Sequence, residues 1–201
     1  PENQNLQNAY TDMGVMVLKC VIEDVTKMRF TDYVQEMILN IAGMNETYLN
    51  VPIELRNRCI NENYSTIINN QGRQVIRMDN EKGTVHDPKA KAIGHELGIA
   101  SGHAGYFSTT EDMMKLSASL QNGNIITPKS LFKISNNNVG KKYVNEDGTI
   151  NYNYYYGSLV FLKQPEIGRL SVYYPLSGKA FMSPGFAGTS FCLDPLNNIS
   201  L

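Results

Sequence analysis

The pattern of apolar residues changes along the chain, and this change limits the possible folds more than any other feature. Over residues 13–25 and 31–41 the apolar residues recur at intervals of three and four, as in amphipathic helices. From residue 154 onward, short runs rich in β-branched and aromatic residues alternate with Gly, Pro and Ser, which predicts antiparallel strands. Helices followed by strands favour an α+β fold, with a helical region packed beside a partial antiparallel sheet.

The 201 residues, 42% of them apolar, suffice for one sizeable core. We therefore expect residues 1–201 to form a single domain, with a mainly helical and loop region over 1–135 and antiparallel strands over 154–201. Both ends interrupt a pattern rather than finish it, so we expect the domain to be incomplete. An incomplete sheet would leave strands exposed, through which the chain could associate.

Local signals place the helix ends. Asp12 stands at the N-cap position of the first helix, and the second begins near Thr31 and stops at Gly43. Ser108 and Glu111 have the spacing of a capping box that opens a third helix. The buried stripe expected on the second helix comprises Tyr33, Val34, Met37, Ile38 and Ile41. The polar segment 45–87 is weakly patterned and predicts surface loops with short helical turns.

Charge and composition exclude several classes of function. The formal net charge is −1, from 18 basic and 19 acidic residues, so no nucleic-acid partner is indicated. The basic pairs Lys89/Lys91 and Lys141/Lys142 are interpreted as solvated loop charges. No apolar run approaches the roughly 18 residues that a membrane span needs, so we expect none within this chain. Cys20, Cys59 and Cys192 show no zinc-type spacing.

Three histidines could suggest a metal site, but their spacing argues against one. His86, His95 and His103 do not recur on a helix face, and His95-Glu96 lacks the second histidine of a zincin motif. We predict that they are loop histidines, that no metal is bound, and that His103 borders a cleft. Residues 94–105 (GHELGIASGHAG) hold four glycines and must form a tightly turned loop.

Three segments carry a resemblance to a known family. The first, residues 10–47, has the pattern Tyr-x-Asp, a helix, Phe-x-x-Tyr-Val and then Gly-Met before Thr. The second covers residues 85–123, from VHDPKAKAIG to the helix ending at QNG, and the third is FMSPGFAGTSFCLDP, residues 181–195. In this order the segments resemble the serine β-lactamase-like group, which contains penicillin-binding proteins, class C β-lactamases, D-Ala-D-Ala carboxypeptidases and esterases.

The resemblance implies roles for particular residues. Tyr10 matches the family's tyrosine base, and Asp12 would turn into the same cleft and hydrogen-bond substrate or lysine. A phenol with a pKa near ~10 acts as a base only when nearby cations favour its phenolate. Residues expected to bind substrate are Ser183, Gly185, Phe186 and His103.

The third segment departs from the family pattern. Ser183-Pro184-Gly185 stands where the family has Lys or His, then Thr or Ser, then Gly. Proline has no N–H and no polar side chain, so recognition of a substrate carboxylate is put in doubt. The family's nucleophile and lysine, one helical turn apart in S-x-x-K, should precede Tyr10, where nine residues stand. The string Ser130-Leu131-Phe132-Lys133 comes too late in the order, so we interpret it as coincidental.

Two functional hypotheses follow. In the first, the intact protein is a serine hydrolase that acts on D-amino-acid peptides or esters of the cell envelope, or on β-lactams, through an acyl-enzyme. In the second, it is a catalytically degenerate homologue that binds a cell-wall ligand or a protein partner. The resemblance implies an extracytoplasmic location, a small-molecule or peptidoglycan-like substrate and no cofactor. The isolated chain is expected to be inactive.

Overall fold

The computed structural model describes residues 11–61, 64–69, 72–77, 81–136, 142–144, 146–148, 150–152, 156–163 and 175–201. The chain divides into two compact units, one formed by Ala9–Asp112 and the other containing Met113–Leu201. No helix within the described ranges is both long enough and apolar enough to span a bilayer.

The first unit opens with helix α1, Asp12–Thr26. Its N-cap is Thr11, whose Oγ1 accepts a hydrogen bond from the Met13 N–H at 3.2 Å. The interpretation of Asp12 as the N-cap is therefore wrong by one residue. Asp12 is instead the first helical residue, where a carboxylate is favoured by the positive end of the helix dipole.

The second predicted helix extends from Phe30 to Ala42 and contains a π turn. It consists of α2 (Phe30–Val34), the π turn (Gln35–Leu39) and α3 (Asn40–Ala42), and it ends at Gly43 with φ +69°. The predicted stop is confirmed, but the predicted stripe is partly wrong. Met37 and Ile41 are exposed, whereas Leu39 and Ala42 are buried. A π turn inserts an extra residue, which rotates the buried face of all that follows.

The segment predicted to be loops contains a hairpin. Strands β1 (Tyr64–Asn69) and β2 (Gly72–Arg77) pair antiparallel, with Asn69 opposite Gly72. A 3₁₀ helix, Ile53–Arg58, precedes the hairpin and agrees with the expected short helical turns. The prediction of loops with short helical turns missed the hairpin, because it followed the Asn-rich composition and not the β-branched residues of YSTII and QVI.

Helices α4 (Pro88–Ile93) and α5 (Thr110–Gln121) follow, with a 3₁₀ turn, His95–Leu97, between them. The N-cap of α5 is Thr109, whose Oγ1 accepts the Asp112 N–H at 3.2 Å. The predicted cap Ser108 is therefore one residue early. The Ser108 hydroxyl instead lies 2.8 Å from that of Thr47.

The second unit packs a helix on a four-stranded antiparallel sheet. Helix α6 is Pro128–Ile134. The sheet has the order β5-β6-β7-β8, formed by Phe161–Leu162, Phe181–Pro184, Ser190–Asp194 and Ile199–Ser200. A second pair, β3 (Lys142–Val144) with β4 (Ile150–Tyr152), was not predicted. The strand predicted at RLSVYYP falls almost wholly outside the described residues.

The core of the second unit explains why helix and sheet stay together. Leu131 of α6 is buried with Leu162, Phe181 and Leu193 from three strands of the sheet. Burying a Leu or Phe side chain contributes about 1.5–3 kcal/mol. The predicted α+β class, with helices beside an antiparallel sheet, is confirmed.

Candidate active site

Tyr10, the predicted base, lies outside the described residues, so its role stays a prediction. Asp12, two residues later, is the first residue of α1. Its carboxylate Oδ2 lies 2.7 Å from Nζ of Lys89, a residue of α4. The Asp12 side chain is only 18% exposed, whereas that of Lys89 is 53% exposed. An ion pair thus joins the start of α1 to α4, and its carboxylate is more shielded from solvent than its ammonium group.

The interpretation of Lys89 as a solvated loop charge is wrong, because the residue lies in a helix and pairs with Asp12. Sequence reasoning missed Lys89 as a member of the site. The nearest signal was Asp87-Pro88, which has the N-cap and N1 residues of a helix start and so places Lys89 in a first helical turn. Nothing local could have shown which acid it meets, since Asp12 lies 77 residues away in sequence.

Helix α4 is fixed at its start by Asp87. Its Oδ1 accepts the Ala90 N–H at 2.7 Å and also accepts a hydrogen bond from Nε2 of His103 at 3.0 Å. Burial by itself would raise the pKa of Asp87. These two hydrogen bonds and the positive charges nearby, Lys89 among them, outweigh burial, so the pKa of Asp87 is lowered. The carboxylate form therefore holds both the helix start and the histidine.

The glycine-rich loop closes tightly around His95. The His95 ring is buried, and its Nε2 lies 2.9 Å from the carbonyl oxygen of Gly105. A Cβ at Gly105 would lie 2.7 Å from Cδ2 of His95, and the φ of Gly105 is +113°. Gly105 is therefore required both by the left-handed backbone and by the space that the imidazole takes.

Two contacts hold the same loop against the helices that precede it. The Thr31 hydroxyl donates to the Gly98 carbonyl at 3.1 Å and accepts the Ala100 N–H at 3.1 Å. A Cβ at Gly102 would lie 3.3 Å from the Cβ of Lys19 in α1. The neighbouring His103 has a side chain only 5% exposed, and its Nδ1 lacks a hydrogen-bond partner within the described ranges. Its predicted contact with substrate stays a prediction.

In the third segment, the last two residues of β6 have no described strand beside them on one side. Strand β6 pairs with β5 only at Phe161–Met182 and Leu162–Phe181, while its pairing with β7 continues to Pro184. Ser183 and Pro184 therefore extend past β5, and on that side no described strand pairs with them. An open strand edge can offer backbone groups to an extended ligand. The Ser183 side chain is exposed there.

A tight turn follows at Gly185. Its N–H donates to the Thr189 carbonyl at 2.7 Å, and a Cβ on it would lie 2.3 Å from the Thr189 hydroxyl. Phe186, next in the turn, is 60% exposed. Together these residues form a polar strand edge with an aromatic side chain beside it. This edge belongs to the second unit, whereas Asp12 and His103 belong to the first.

Two further sequence patterns concern a metal site and a second serine. In the part of the chain that the structure describes, no group of three His, Cys, Asp or Glu side chains is arranged to hold a metal. Ser130 lies in the first turn of α6, exposed, with its hydroxyl 3.0 Å from that of the N-cap Thr127. Lys133, one turn later, is also exposed. Ser130 and Lys133 thus lie at a helix surface, and the Ser130 hydroxyl is hydrogen-bonded to the hydroxyl of the N-cap residue.

Known structures share this fold. EstCE1, a hydrolase with promiscuous acyltransferase activity, matches 95% of this chain and 49% of its own, with TM-score 0.62 and 16% identity. The octameric penicillin-binding protein homologue from Pyrococcus abyssi matches 96% of this chain and 37% of its own, with TM-score 0.55 and 16% identity. The fold is therefore that of the β-lactamase and penicillin-binding proteins, as the resemblance implied.

The chain belongs to the beta-lactamase family, a family of serine hydrolases, whose sequence profile matches residues 3–201. A similar curated protein from Escherichia coli strain K12, named "Putative D-alanyl-D-alanine carboxypeptidase", is 28% identical over 97% of this chain. Its counterpart from Escherichia coli O157:H7 is 27% identical over the same share. This chain spans 44% of the length of each.

Proposed function

We propose that this chain is part of a serine hydrolase that acts, through an acyl-enzyme, on D-amino-acid peptides or esters of the cell envelope or on β-lactams. The observation that carries the proposal is the family match over residues 3–201 together with relatives named as D-alanyl-D-alanine carboxypeptidases. The names of those relatives refer to D-alanyl-D-alanine, a D-amino-acid peptide, and this supports our proposal that the full-length protein acts in the cell envelope or outside the cell.

In this mechanism the serine and lysine of an S-x-x-K segment precede Tyr10 in the full-length protein. The serine hydroxyl attacks the substrate carbonyl, and its proton passes to Tyr10 acting as a phenolate base, with the lysine as the nearby cation. Tyr10 then returns this proton to the leaving amine or alcohol, which departs as the acyl-enzyme forms, and water, activated by the regenerated phenolate, releases the acid. Asp12, anchored at the start of α1, orients the groups beside the base.

The strand edge at Ser183–Gly185 supports the binding step of the proposal. An extended substrate can lie along the unpaired side of β6, next to Phe186, with backbone groups of the edge fixing its orientation. Since Ser183 supplies a hydroxyl rather than a cation, we propose that the site favours esters, and peptides without a free terminal carboxylate, over substrates whose free carboxylate needs a counter-ion.

The same strand edge favours a second function. Pro184 removes a backbone donor and a side-chain hydroxyl from the place where the family pattern has Thr or Ser. A homologue that keeps this strand edge but has lost catalytic turnover would bind a cell-wall fragment or a protein partner without cleaving it. We keep this degenerate binder as the alternative.

Covalent labelling separates the two functions. The full-length protein is incubated with a fluorescent penicillin and, separately, with an activated ester, and the adduct is mapped by peptide mass spectrometry. The proposal predicts a stoichiometric adduct on a serine of an S-x-x-K segment that precedes Tyr10. An absence of adduct and of turnover, combined with measurable binding of a peptidoglycan fragment, would favour the degenerate binder.

A further inference from the structure

Leu159, just before β5, has a backbone conformation that leucine rarely adopts. Its φ is +62°, in the left-handed region, where the Cβ of an L-residue crowds the backbone. A bulky residue with a positive φ is an outlier, since glycine and asparagine tolerate this conformation better. The other two non-glycine residues described with a positive φ are Lys27, at a helix end, and Asn198, whose residue type tolerates it.

Burial does not offset the strain at Leu159, because the residue is 67% exposed. Its neighbours are fixed to the end of α6. The Ser158 N–H donates to the Ile134 carbonyl at 3.0 Å, and a Cβ on Gly157 would lie 1.8 Å from the same oxygen. The Gly157 N–H also closes the turn by donating to the Val160 carbonyl at 2.9 Å. The anchored turn therefore presents a strained leucine to solvent, and such strain is found most often at functional sites.

The turn lies at the end of β5 where the pairing with β6 stops. Phe161 pairs antiparallel with Met182, and the ladder does not continue past this pair. In an antiparallel register, the two residues before Phe161 stand level with the two residues after Met182. Leu159 is thus level with Pro184, on the side of β6 where no described strand pairs. This is the strand edge to which the proposed function assigns the substrate.

The other side chains of this edge are mostly apolar. Pro184 stands where the family pattern has a hydroxyl, and Phe186, in the turn after β6, is 60% exposed. The edge therefore carries Leu159, Pro184 and Phe186 beside a single hydroxyl, that of Ser183. Apolar surface that is exposed to water in the free protein gains free energy when a ligand covers it. The composition of the edge favours a ligand with an apolar group.

We propose that Leu159 is a specificity-determining residue, which selects esters and peptides whose acyl group or side chain alongside β6 is apolar. The inference rests on the proposed function, because it concerns the substrate of that same strand edge. Leu159 contacts the apolar group of the substrate and takes no part in the chemical step. The strained backbone is retained because it holds this side chain outside the core.

Kinetics of the full-length protein on two esters test this role. The substrates are p-nitrophenyl acetate and p-nitrophenyl hexanoate, which differ only in the length of the apolar acyl chain. In Leu159→Asn, kcat/KM for the hexanoate is expected to fall about tenfold, while that for the acetate stays within about twofold of wild type. The loss should lie mainly in KM, because an apolar contact is made in the ground state and the transition state alike. Leu159→Met keeps an apolar side chain and should preserve both values.

Thermal unfolding separates this role from a structural one. Asparagine and glycine both tolerate a positive φ, so Leu159→Asn and Leu159→Gly should not lower Tm. A leucine that stabilised the fold would lower Tm when replaced and would reduce kcat/KM equally for both esters. The matched control is Leu196→Asn, since Leu196 is 61% exposed and follows Asp194, at the end of β7 away from the Pro184–Ser190 pair. This variant should leave both kcat/KM values unchanged.

The role is overturned if the ratio of the two kcat/KM values, hexanoate over acetate, is the same in Leu159→Asn and Leu159→Gly as in the wild type. A fall in Tm with equal losses on both esters would also overturn it. Should Leu159→Asn fail to fold, Leu159→Gly gives the same comparison.

Failure of this role and failure of the proposed function give different results. If the wild type hydrolyses the esters and Leu159 does not affect the ratio, only the role of Leu159 is refuted. If the wild type and every variant lack both turnover and a covalent adduct, the proposed function is refuted, and the role of Leu159 with it.

Discussion

A single carboxylate oxygen, Oδ1 of Asp87, accepts hydrogen bonds from both Nε2 of His103, at 3.0 Å, and the backbone N–H of Ala90, at 2.7 Å. The first bond ties down the glycine-rich loop, and the second starts α4. Because α4 carries Lys89, which pairs with Asp12, the loop, the helix and the start of α1 depend on one ionised side chain.

This arrangement predicts how stability depends on pH. The folded-state pKa of Asp87 is lowered, so its ionised form stabilises the fold above the unfolded pKa of about 3.9, and this contribution is lost as the pH falls through the folded value. The free energy of unfolding of the full-length protein should therefore fall below about pH 4. The Asp87→Asn substitution should lower this free energy most near pH 6 and progressively less toward pH 3. Urea unfolding across this range measures the difference.

Asp24→Asn is the control for Asp87, since Asp24 forms an exposed pair with Lys27 that should contribute little at any pH. A difference between wild type and Asp87→Asn that stays constant or grows toward pH 3 would contradict the assignment.

A glycine pair tests the packing around His95. Gly105→Ala adds a methyl group 2.7 Å from the His95 ring at a φ of +113°, whereas Gly98→Ala adds one at a φ of +76° with no atom within 4 Å. Backbone strain should lower the free energy of unfolding of both variants by about 1–2 kcal/mol. Overpacking should lower that of Gly105→Ala by about 1–3 kcal/mol more. Equal losses in the free energy of unfolding would show that the imidazole does not fill this space.

Thiol reactivity should differ between two cysteines. Cys20 is exposed on α1, whereas Cys192 is buried in β7, where burial, together with the Asp194 charge, raises the thiol pKa to about 11. Since the thiolate is the reactive form, iodoacetamide at pH 8 should modify Cys20 quickly and Cys192 only after unfolding. Peptide mass spectrometry of native and denatured samples checks this order. Fast native labelling of Cys192 would refute the buried placement of β7.

Local signals in the sequence were sufficient for part of the fold. The helix end at Gly43 could be predicted, because a helix that ends with a positive φ needs a residue that tolerates this conformation. The strand at Ser190–Asp194 could be predicted from its composition. The π turn at Gln35–Leu39 could not be predicted from the sequence. It changes the period of the pattern within an otherwise ordinary helix, and no residue type marks it.

The candidate site was predictable only in pieces. The place of Asp12 in a motif identified it as a site residue. Its partner Lys89 was predicted to be a solvated loop charge, because a basic pair in a polar segment is most often exposed. His103 was selected as a candidate, yet its bond to Asp87 depends on a loop that four glycines fold back on itself. Contacts of this kind depend on tertiary structure, which local periodicity does not encode.

The Ser130–Lys133 string should have no part in catalysis. Ser130 lies exposed in the first turn of α6, and its hydroxyl is bonded to that of Thr127. In the full-length protein, Ser130→Ala and Lys133→Ala should leave the rate of labelling by a fluorescent penicillin within about twofold of wild type, the range expected of surface substitutions. A covalent adduct on Ser130 would reverse the assignment of the nucleophile.

The most direct test of the account is steady-state kinetics of Tyr10→Phe in the full-length protein, against an ester and a D-alanyl-D-alanine peptide. The substitution removes only the hydroxyl and should cost about 0.5–1.5 kcal/mol of stability. Loss of a general base typically lowers the rate ~10²–10⁴-fold, and Asp12→Asn should be milder because an amide oxygen still accepts hydrogen bonds. We predict a fall in kcat/KM of that size for Tyr10→Phe on both substrates. A near-normal kcat/KM on both would remove Tyr10 from the mechanism and contradict the account.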